Sequence, residues 1–400
     1  MDREQEWIVV RGVGSVSGLG GSPEEVRASY ASGRTAFSTL PSLGSDTPVS
    51  PLSPSAEALL QALLLQNPTY ASLDRSVQLA ILASRQAVAQ AGWKMGEGDS
   101  VGINIGSSRG ATGLYEQFHA DFLQNPEKRL SPGVSPSTTL GNVASWVAND
   151  LQADGPLISH SVTCSTALQA FANGVAWLKA GMAKRFLVGG AEAPLTPFTL
   201  AQMKAIGIYS RFAAHDHPCR PLNLERNTFV LGEGAAVFAL ERMTQAQIEN
   251  LHLANAIAVE AVGMGYERSP SKTGISADGQ HFQRAMREAL AQASLMPRDI
   301  DAIVLHAPGT KAGDAAEVQA IESIFGAASP AYFSNKNLIG HSLGASGALS
   351  TEMALYVLCQ TNIPSIFSST LARAPRRILI NAAGFGGNAV SVLLTKLPTQ

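Results

Sequence analysis

Cys164 stands in "SHSVTCSTALQAFANGVAWLKAG" (Ser159 to Gly181), at the mouth of a run that reads as a helix. A free cysteine is usually a small buried hydrophobe. At a helix N-terminus, the dipole and the free N–H groups favour thiolate over thiol, so this position marks a candidate nucleophile. Two of the eight histidines, His306 and His341, follow or sit within Gly/Pro turns. Imidazole changes charge near neutral pH and can donate or accept a proton there. His306 begins "HAPGTKAGDAAEVQAI", where Asp314 reads as an N-cap with Glu317 at capping-box spacing. Lys336 and His341 share the glycine-flanked loop of "SNKNLIGHSLGASGALSTEMAL", which feeds a small-residue helix.

Other polar clusters read more plainly. "HDHPC" (His215 to Cys219) packs three potential metal ligands into a short loop, but no fourth stands at a familiar zinc spacing. No metal is assigned there. Cys359, in "MALYVLCQ", reads as a core residue of a helix.

The elements that position these residues come next. A chain of 400 residues can bury large cores and predicts two domains or two halves. "RSVQLAILASRQAVAQAGW" (Arg75 to Trp93) has apolar residues at helical spacing, and the buried-strand run "VGINIGSS" follows it. The theme recurs in "FQRAMREALAQASL" and "IDAIVLHAPGT". That repeat predicts a duplicated α/β unit with mostly parallel sheets, one half spanning residues 1–242 and the other 243–400. Gly155 to Leu178 carries no Asp, Glu, Lys or Arg but is rich in Ser, Thr and Asn, so it reads as a buried central element rather than a membrane span. The formal charge of -2, with no basic stripe, argues against a nucleic-acid partner. Three cysteines and a charged N-terminus point to a reducing, cytoplasmic setting.

Cys164 in "SVTCSTALQA", His306 in "HAPGTKAGD", Lys336 and His341 in "NKNLIGHSLGASG", and "GFGGN" at Gly384 to Asn388 together resemble the β-ketoacyl-acyl carrier protein synthases. So do "VVRGVGSVSGLG", "FLVGGAEAPLTPFTLAQMKAIG" and "RPLNLERNTFVLGEGAAVFALE", so the likeness covers nearly the whole chain. It implies the thiolase fold, an α/β architecture of duplicated halves layered α-β-α-β-α, usually dimeric. It implies that Cys164 takes an acyl group from an acyl carrier protein, and that His306 and His341 support decarboxylation of malonyl carrier protein. The oxyanion of the condensation would be held by the backbone N–H groups of Cys164 and Phe385. Phe385 resembles the family's gating phenylalanine and Phe229 a second aromatic near the pocket. Lys336 would pair with Glu317 and be tied to the Asp314 turn, and Thr310 would hold the pantetheine arm. No cofactor is implied beyond the carrier's phosphopantetheine. The expected partners are the carrier and a second ketosynthase chain, identical or a chain-length-factor paralogue.

Departures from the family pattern are Pro308 for a threonine, Asn223 and Asn227 for aspartates, Ala389 for a polar residue, and a short "ERSPSKTGISADG" loop. They point to a divergent, secondary-metabolic branch. A degradative thiolase would carry a second cysteine near the end, and "NAAGFGGNA" has none. A plant-type polyketide synthase would put asparagine at position 341. A chain-length-factor partner subunit would lack the nucleophile, a non-catalytic acyl-binding scaffold would leave Cys164 unreactive, and a cysteine protease explains neither Lys336 nor the second histidine.

Overall fold

The computed structural model describes residues 5–41, 46–96, 100–140, 142–253, 255–268, 274–326, 329–359, 363, 371 and 374–398. Within them, ten strands form one sheet: β1 (Glu6–Ser17), β2 (Val101–Gly106), β3 (Leu157–Ile158), β4 (Arg185–Glu192), β5 (Gly234–Thr244), β6 (Ile257–Tyr266), β7 (Ala302–Val304), β8 (Ala331–Phe333), β9 (Arg377–Gly384) and β10 (Asn388–Lys396). Their spatial order is β3-β2-β4-β5-β1-β6-β10-β9-β7-β8. The order reads the same from either end once β1 is matched to β6, β5 to β10, β4 to β9, β2 to β7 and β3 to β8. Pairing senses match too: β2 is parallel to β3 and β4, and β7 to β8 and β9. A single residue pair, Val9 with Ala258, joins the halves at β1 and β6. Position 242 lies inside β5, two residues before its last residue, Thr244.

Strands here are apolar on both faces because both faces are covered. In β5, Ala236, Phe238 and Leu240 pack into the central core, while Ala235, Val237 and Ala239 face the outer helices. The central core is built around the Thr166–Lys179 and Ser346–Leu358 helices, between the two half-sheets. Outside one half-sheet lie Pro54–Gln66, Arg75–Ala91 and Asn142–Leu151; outside the other lie Gln280–Gln292 and Lys311–Phe325. Five layers therefore arise from the two halves together. The uncharged stretch from Gly155 supplies one of the two central helices. Among the described residues, no helix is long and apolar enough to cross a membrane.

Local signals explain the ends of these elements. Asp74 Oδ1 accepts the Ser76 N–H at 2.9 Å at the start of the Arg75–Ala91 helix, and Gly92, at φ 66°, closes it. Three expectations need correction. The sheet is not mostly parallel: among the described residues five of its nine strand pairings are antiparallel, because β5, β1, β6 and β10 at its centre each run antiparallel to both neighbours. Cys359 is not a core residue; it is exposed, as the cap residue one position past the Ser346–Leu358 helix, whose last turn buries Tyr356, Val357 and Leu358. Asp314 is not an N-cap. The Lys311–Phe325 helix starts earlier, with Thr310 at the cap, and Asp314 sits inside its first turns. From there its carboxylate reaches back to the N–H groups of Gly309 and Thr310, both at 3.1 Å.

Candidate active site

Duplication places the chemistry. Cys164 stands between β3 and the Thr166–Lys179 central helix, and His341 stands between β8 and the matching Ser346–Leu358 helix. His306 follows β7, as Ser107 follows β2. Three loops at matching strand ends thus converge on one side of the central helices.

Cys164 is held in a tight turn. Thr163 before it lies in the left-handed region at φ 50°, and its carbonyl accepts the Thr166 hydroxyl at 2.6 Å. The Thr163 hydroxyl donates to the Phe385 carbonyl at 3.3 Å, which ties the β9–β10 hairpin to the cysteine. Gly384 makes that approach possible: a Cβ there would lie 1.7 Å from Thr163 Oγ1 and 2.9 Å from the Cys164 nitrogen. Phe385 itself is half-exposed, flanked by Gly386 and Gly387 at positive φ.

On its other side Cys164 packs against an apolar cluster that holds Leu200, Met203, Tyr209, Phe229, Leu231 and Leu343. The Phe229 ring lies 5.4 Å from the His341 ring, and His341 lies 5.2 Å from His306 at an interplanar angle of 88°. Both histidines are buried, and burial drives both toward the neutral form. His341 is pushed down to about 3 by burial and then by the Lys336 ammonium. His306 is pushed well below its ordinary value by burial, then His341, Lys336 and His281. His341 Nδ1 accepts the Leu343 N–H at 2.9 Å.

The thiol departs from expectation. Burial pushes Cys164 up to about 12; Glu192 adds to the rise and Lys336 opposes it. The resting group is therefore a thiol, because burial outweighs the field at the helix mouth. Lys336 also departs. It makes no ion pair with Glu317 among the described residues; its Nζ donates to Asn335 Oδ1 at 3.0 Å and Ser350 Oγ at 2.9 Å. Burial lowers it to about 8, with Cys219, Glu317, Cys164 and Asp314 opposing that fall. Glu317 is already engaged by the N–H groups of His306 at 2.9 Å and Ala307 at 2.8 Å, and by Asn381 at 3.1 Å. It shapes the His306 turn, in which Ala307 has φ 23°. Asp314 holds the same turn and also accepts the Leu222 N–H at 2.7 Å; burial raises it to about 7. Thr310 and Pro308 are half-buried at the end of that turn.

A profile described as "Beta-ketoacyl synthase, N-terminal domain" matches residues 5–246, and one described as "Beta-ketoacyl synthase, C-terminal domain" matches residues 258–369. The chain belongs to the beta-ketoacyl synthases. It is accordingly a C–C bond-forming acyltransferase. The 3-oxoacyl-[acyl-carrier-protein] synthase 2 of Staphylococcus aureus is 30% identical over 341 residues, 80% of this chain and 84% of that protein. A beta-ketoacyl synthase structure from Burkholderia phymatum matches 98% of this chain and 100% of its own at TM-score 0.85 and 24% identity. The ishigamide ketosynthase/chain length factor structure matches 98% of this chain and 100% of its own at TM-score 0.83 and 22% identity.

One residue of this beta-ketoacyl synthase site escaped the sequence reading. Glu192, fully buried at the end of β4, accepts Ser107 Oγ at 2.9 Å, Ser108 N–H at 2.8 Å, Arg109 N–H at 3.1 Å and Gly344 N–H at 2.9 Å. It clasps the loop after β2 to the loop after His341. Burial raises it to about 7 against those four donors. Its signal was present: it is the one charged residue in "FLVGGAEAPLTPF". Asn227 is explained as well. Its Oδ1 accepts the Lys311 N–H at 3.0 Å and its Nδ2 donates to the Gly207 carbonyl at 3.2 Å, a donor role closed to an aspartate. Asn223 Oδ1 accepts the Glu225 and Arg226 N–H groups, and Ala389 packs into the outer core of the second half. The short loop from Glu267 to Gly279 includes residues 269–273, which lie outside the described residues. Cys219 of the "HDHPC" segment is buried while His215 and His217 are exposed, so these side chains do not converge. Among the described residues, no group of three His, Cys, Asp or Glu could hold a metal.

Proposed function

We propose that Cys164 accepts the acyl group from an acyl carrier protein and that the chain condenses it with malonyl carrier protein, giving the 3-oxoacyl carrier protein. The Cys164 sulfur attacks the donor thioester, the carrier thiol leaves, and the thiol proton passes to the carrier. Malonyl carrier protein then loses carbon dioxide, and the electron pair forms an enolate. His306 and His341, both neutral, donate N–H groups to that enolate oxygen. The enolate carbon attacks the acyl-Cys164 carbonyl, the carbon–carbon bond forms, and the carbon–sulfur bond breaks. The backbone N–H groups of Cys164 and Phe385 hold the tetrahedral oxyanion, and the Phe385 ring gates the pocket on its glycine-flanked hairpin. Phe229 supports the His341 ring, Lys336 disfavours imidazolium, and Thr310 contacts the pantetheine arm that carries both substrates.

The observation that carries this reading is the perpendicular pair of buried neutral imidazoles, with His341 tilted against Phe229 of the cluster that also takes Cys164. A non-catalytic partner subunit has no need of such a pair. The residues divide into a nucleophile-bearing half, 1–242, and a histidine-bearing half, 243–400. We place the protein in the cytoplasm, as a dimer with itself or with a chain-length-factor paralogue, in fatty acid or polyketide synthesis. The exchanges at Pro308, Asn223, Asn227 and Ala389 support a secondary-metabolic branch. The test is intact mass after incubation with acyl carrier proteins bearing different chains. An acyl adduct on the wild type and none on Cys164→Ala is expected; no adduct with any donor would overturn the transfer step.

A further inference from the structure

Arg109 is a cation that the proposed chemistry does not use, and it stands in the loop after β2 that Ser161 ties to the Cys164 turn. Two sets of contacts fix its place. Its own N–H is held by Glu192, and the carbonyl of the preceding Ser108 accepts Ser161 Oγ at 3.0 Å, three residues before Cys164. Its guanidinium Nη2 donates to Gln202 Oε1. Gln202 lies on the Pro197–Ala205 helix, which also sends Leu200 and Met203 into the apolar cluster against Cys164. The side chain therefore spans from the loop bonded to the Cys164 turn to the helix whose Leu200 and Met203 pack with Cys164.

Its hydrogen bonding is incomplete. The Arg109 Nε atom is buried with no hydrogen-bond partner among the described residues. No carboxylate there pairs with its guanidinium, although the clasping Glu192 accepts its backbone. A buried guanidinium N–H without an acceptor is unfavourable, and a plain alkyl chain offers it none. A chain oxygen would repair it, in a geometry that arginine's fixed fork favours.

We propose that Arg109, steadied by Gln202, selects acyl groups that carry an acceptor oxygen along the chain, over plain alkyl chains of the same length. This rests on the reading of Cys164 as the acyl-bearing nucleophile. Arg109 is a specificity residue: it meets the chain, and the reacting carbonyl lies elsewhere. A keto oxygen and a terminal carboxylate present the same acceptor chemistry, so the test separates them.

Loading of Cys164 is followed by intact mass with octanoyl, beta-keto-octanoyl and suberyl carrier proteins. The enzymes are wild type, Arg109→Met, Arg109→Lys and Cys164→Ala. Wild type should load at least one oxygen-bearing chain about ten-fold faster than octanoyl. Preference for the keto chain identifies the oxygen as a carbonyl along the chain; preference for suberyl identifies a terminal carboxylate. Arg109→Met should erase the preference, and Arg109→Lys should restore part of it. A melting temperature and circular dichroism spectrum like those of wild type show that each variant has folded. Octanoyl loading as fast as the others on wild type overturns the proposal, as does an unchanged preference in Arg109→Met. Equal adducts on wild type and Cys164→Ala, or none at all, would overturn the nucleophile reading and this proposal with it.

Discussion

His341 Nδ1 accepts the backbone N–H of Leu343 at 2.9 Å, which leaves the ring's one proton on Nε2. The tautomer is set by the chain two residues on, so Nε2–H is the donor available to an enolate. His341→Ala should lower malonyl decarboxylation by about a hundred-fold or more. Carbon dioxide release from malonyl carrier protein measures it, and acyl loading of Cys164 should survive. The pH dependence follows from a value pushed down to about 3, below the ordinary 6.5. Between those values the native chain binds fewer protons than the unfolded chain, so stability falls as pH drops through that window. The substituted protein should show a shallower acid limb in urea unfolding between pH 6.5 and 3.

Glu192→Gln should separate stability from reactivity. The carboxylate accepts four donors, two on each oxygen; the amide oxygen of Gln can keep two of them, and the amide nitrogen that replaces the other oxygen can accept none. Unfolding free energy should drop by about 1–3 kcal/mol, read from denaturant midpoints. Alkylation of Cys164 by iodoacetamide at pH 8 should nevertheless become faster, because Glu192 is one of the groups that raises the thiol. Slower alkylation would show that the clasp positions the sulfur more than its charge disfavours the thiolate.

Gly384→Ala and Gly386→Ala should differ in kind. The first places a methyl group against Thr163 and the Cys164 nitrogen and should abolish acyl loading by prying the hairpin away. The second meets nothing closer than Asn388 Nδ2 at 4.0 Å, though φ is 96°. Only backbone strain of about 1–2 kcal/mol is expected there, seen as a lower melting temperature with loading retained. Equal loading by both variants would remove the hairpin from the site.

Lys336→Met removes the ammonium that lowers both Cys164 and His341. Cys164 alkylation should slow at pH 8. Native Lys336, lowered to about 8 from 10.5, binds fewer protons than the unfolded residue between those values. Wild-type stability therefore rises with pH across that window by this group's contribution, and the variant should lack the rise. Denaturant melts at pH 8 and pH 10 compare the two.

Much of this site was legible because turns and helix mouths leave local marks. Cys164, His306 and His341 each sit at a strand end beside Gly, Pro or small residues, and the repeat of helix and strand announced the duplication. Pairings over long sequence distances left no such mark. Lys336 turned to Asn335 and Ser350 because Glu317 was already taken by the His306 turn. The level of the Cys164 thiol depended on burial and on Glu192, neither visible from a helix-mouth pattern. Asp314 has capping-box spacing from Glu317, yet the helix begins at Lys311, since the same carboxylate caps just as well by reaching backward from the first turns.

The mirrored strand order divides labour between the two repeats. On the proposed reading, one copy holds the acyl group and the other activates the carbon that attacks it, so neither repeat expressed alone would contain a complete reaction. The frame depends on the central helices and half-sheets, while the chemistry depends on loop residues at their ends. A copy of this gene could therefore lose Cys164 or His341 and still encode a folded protein of the same shape, able to take a structural place beside its active sibling.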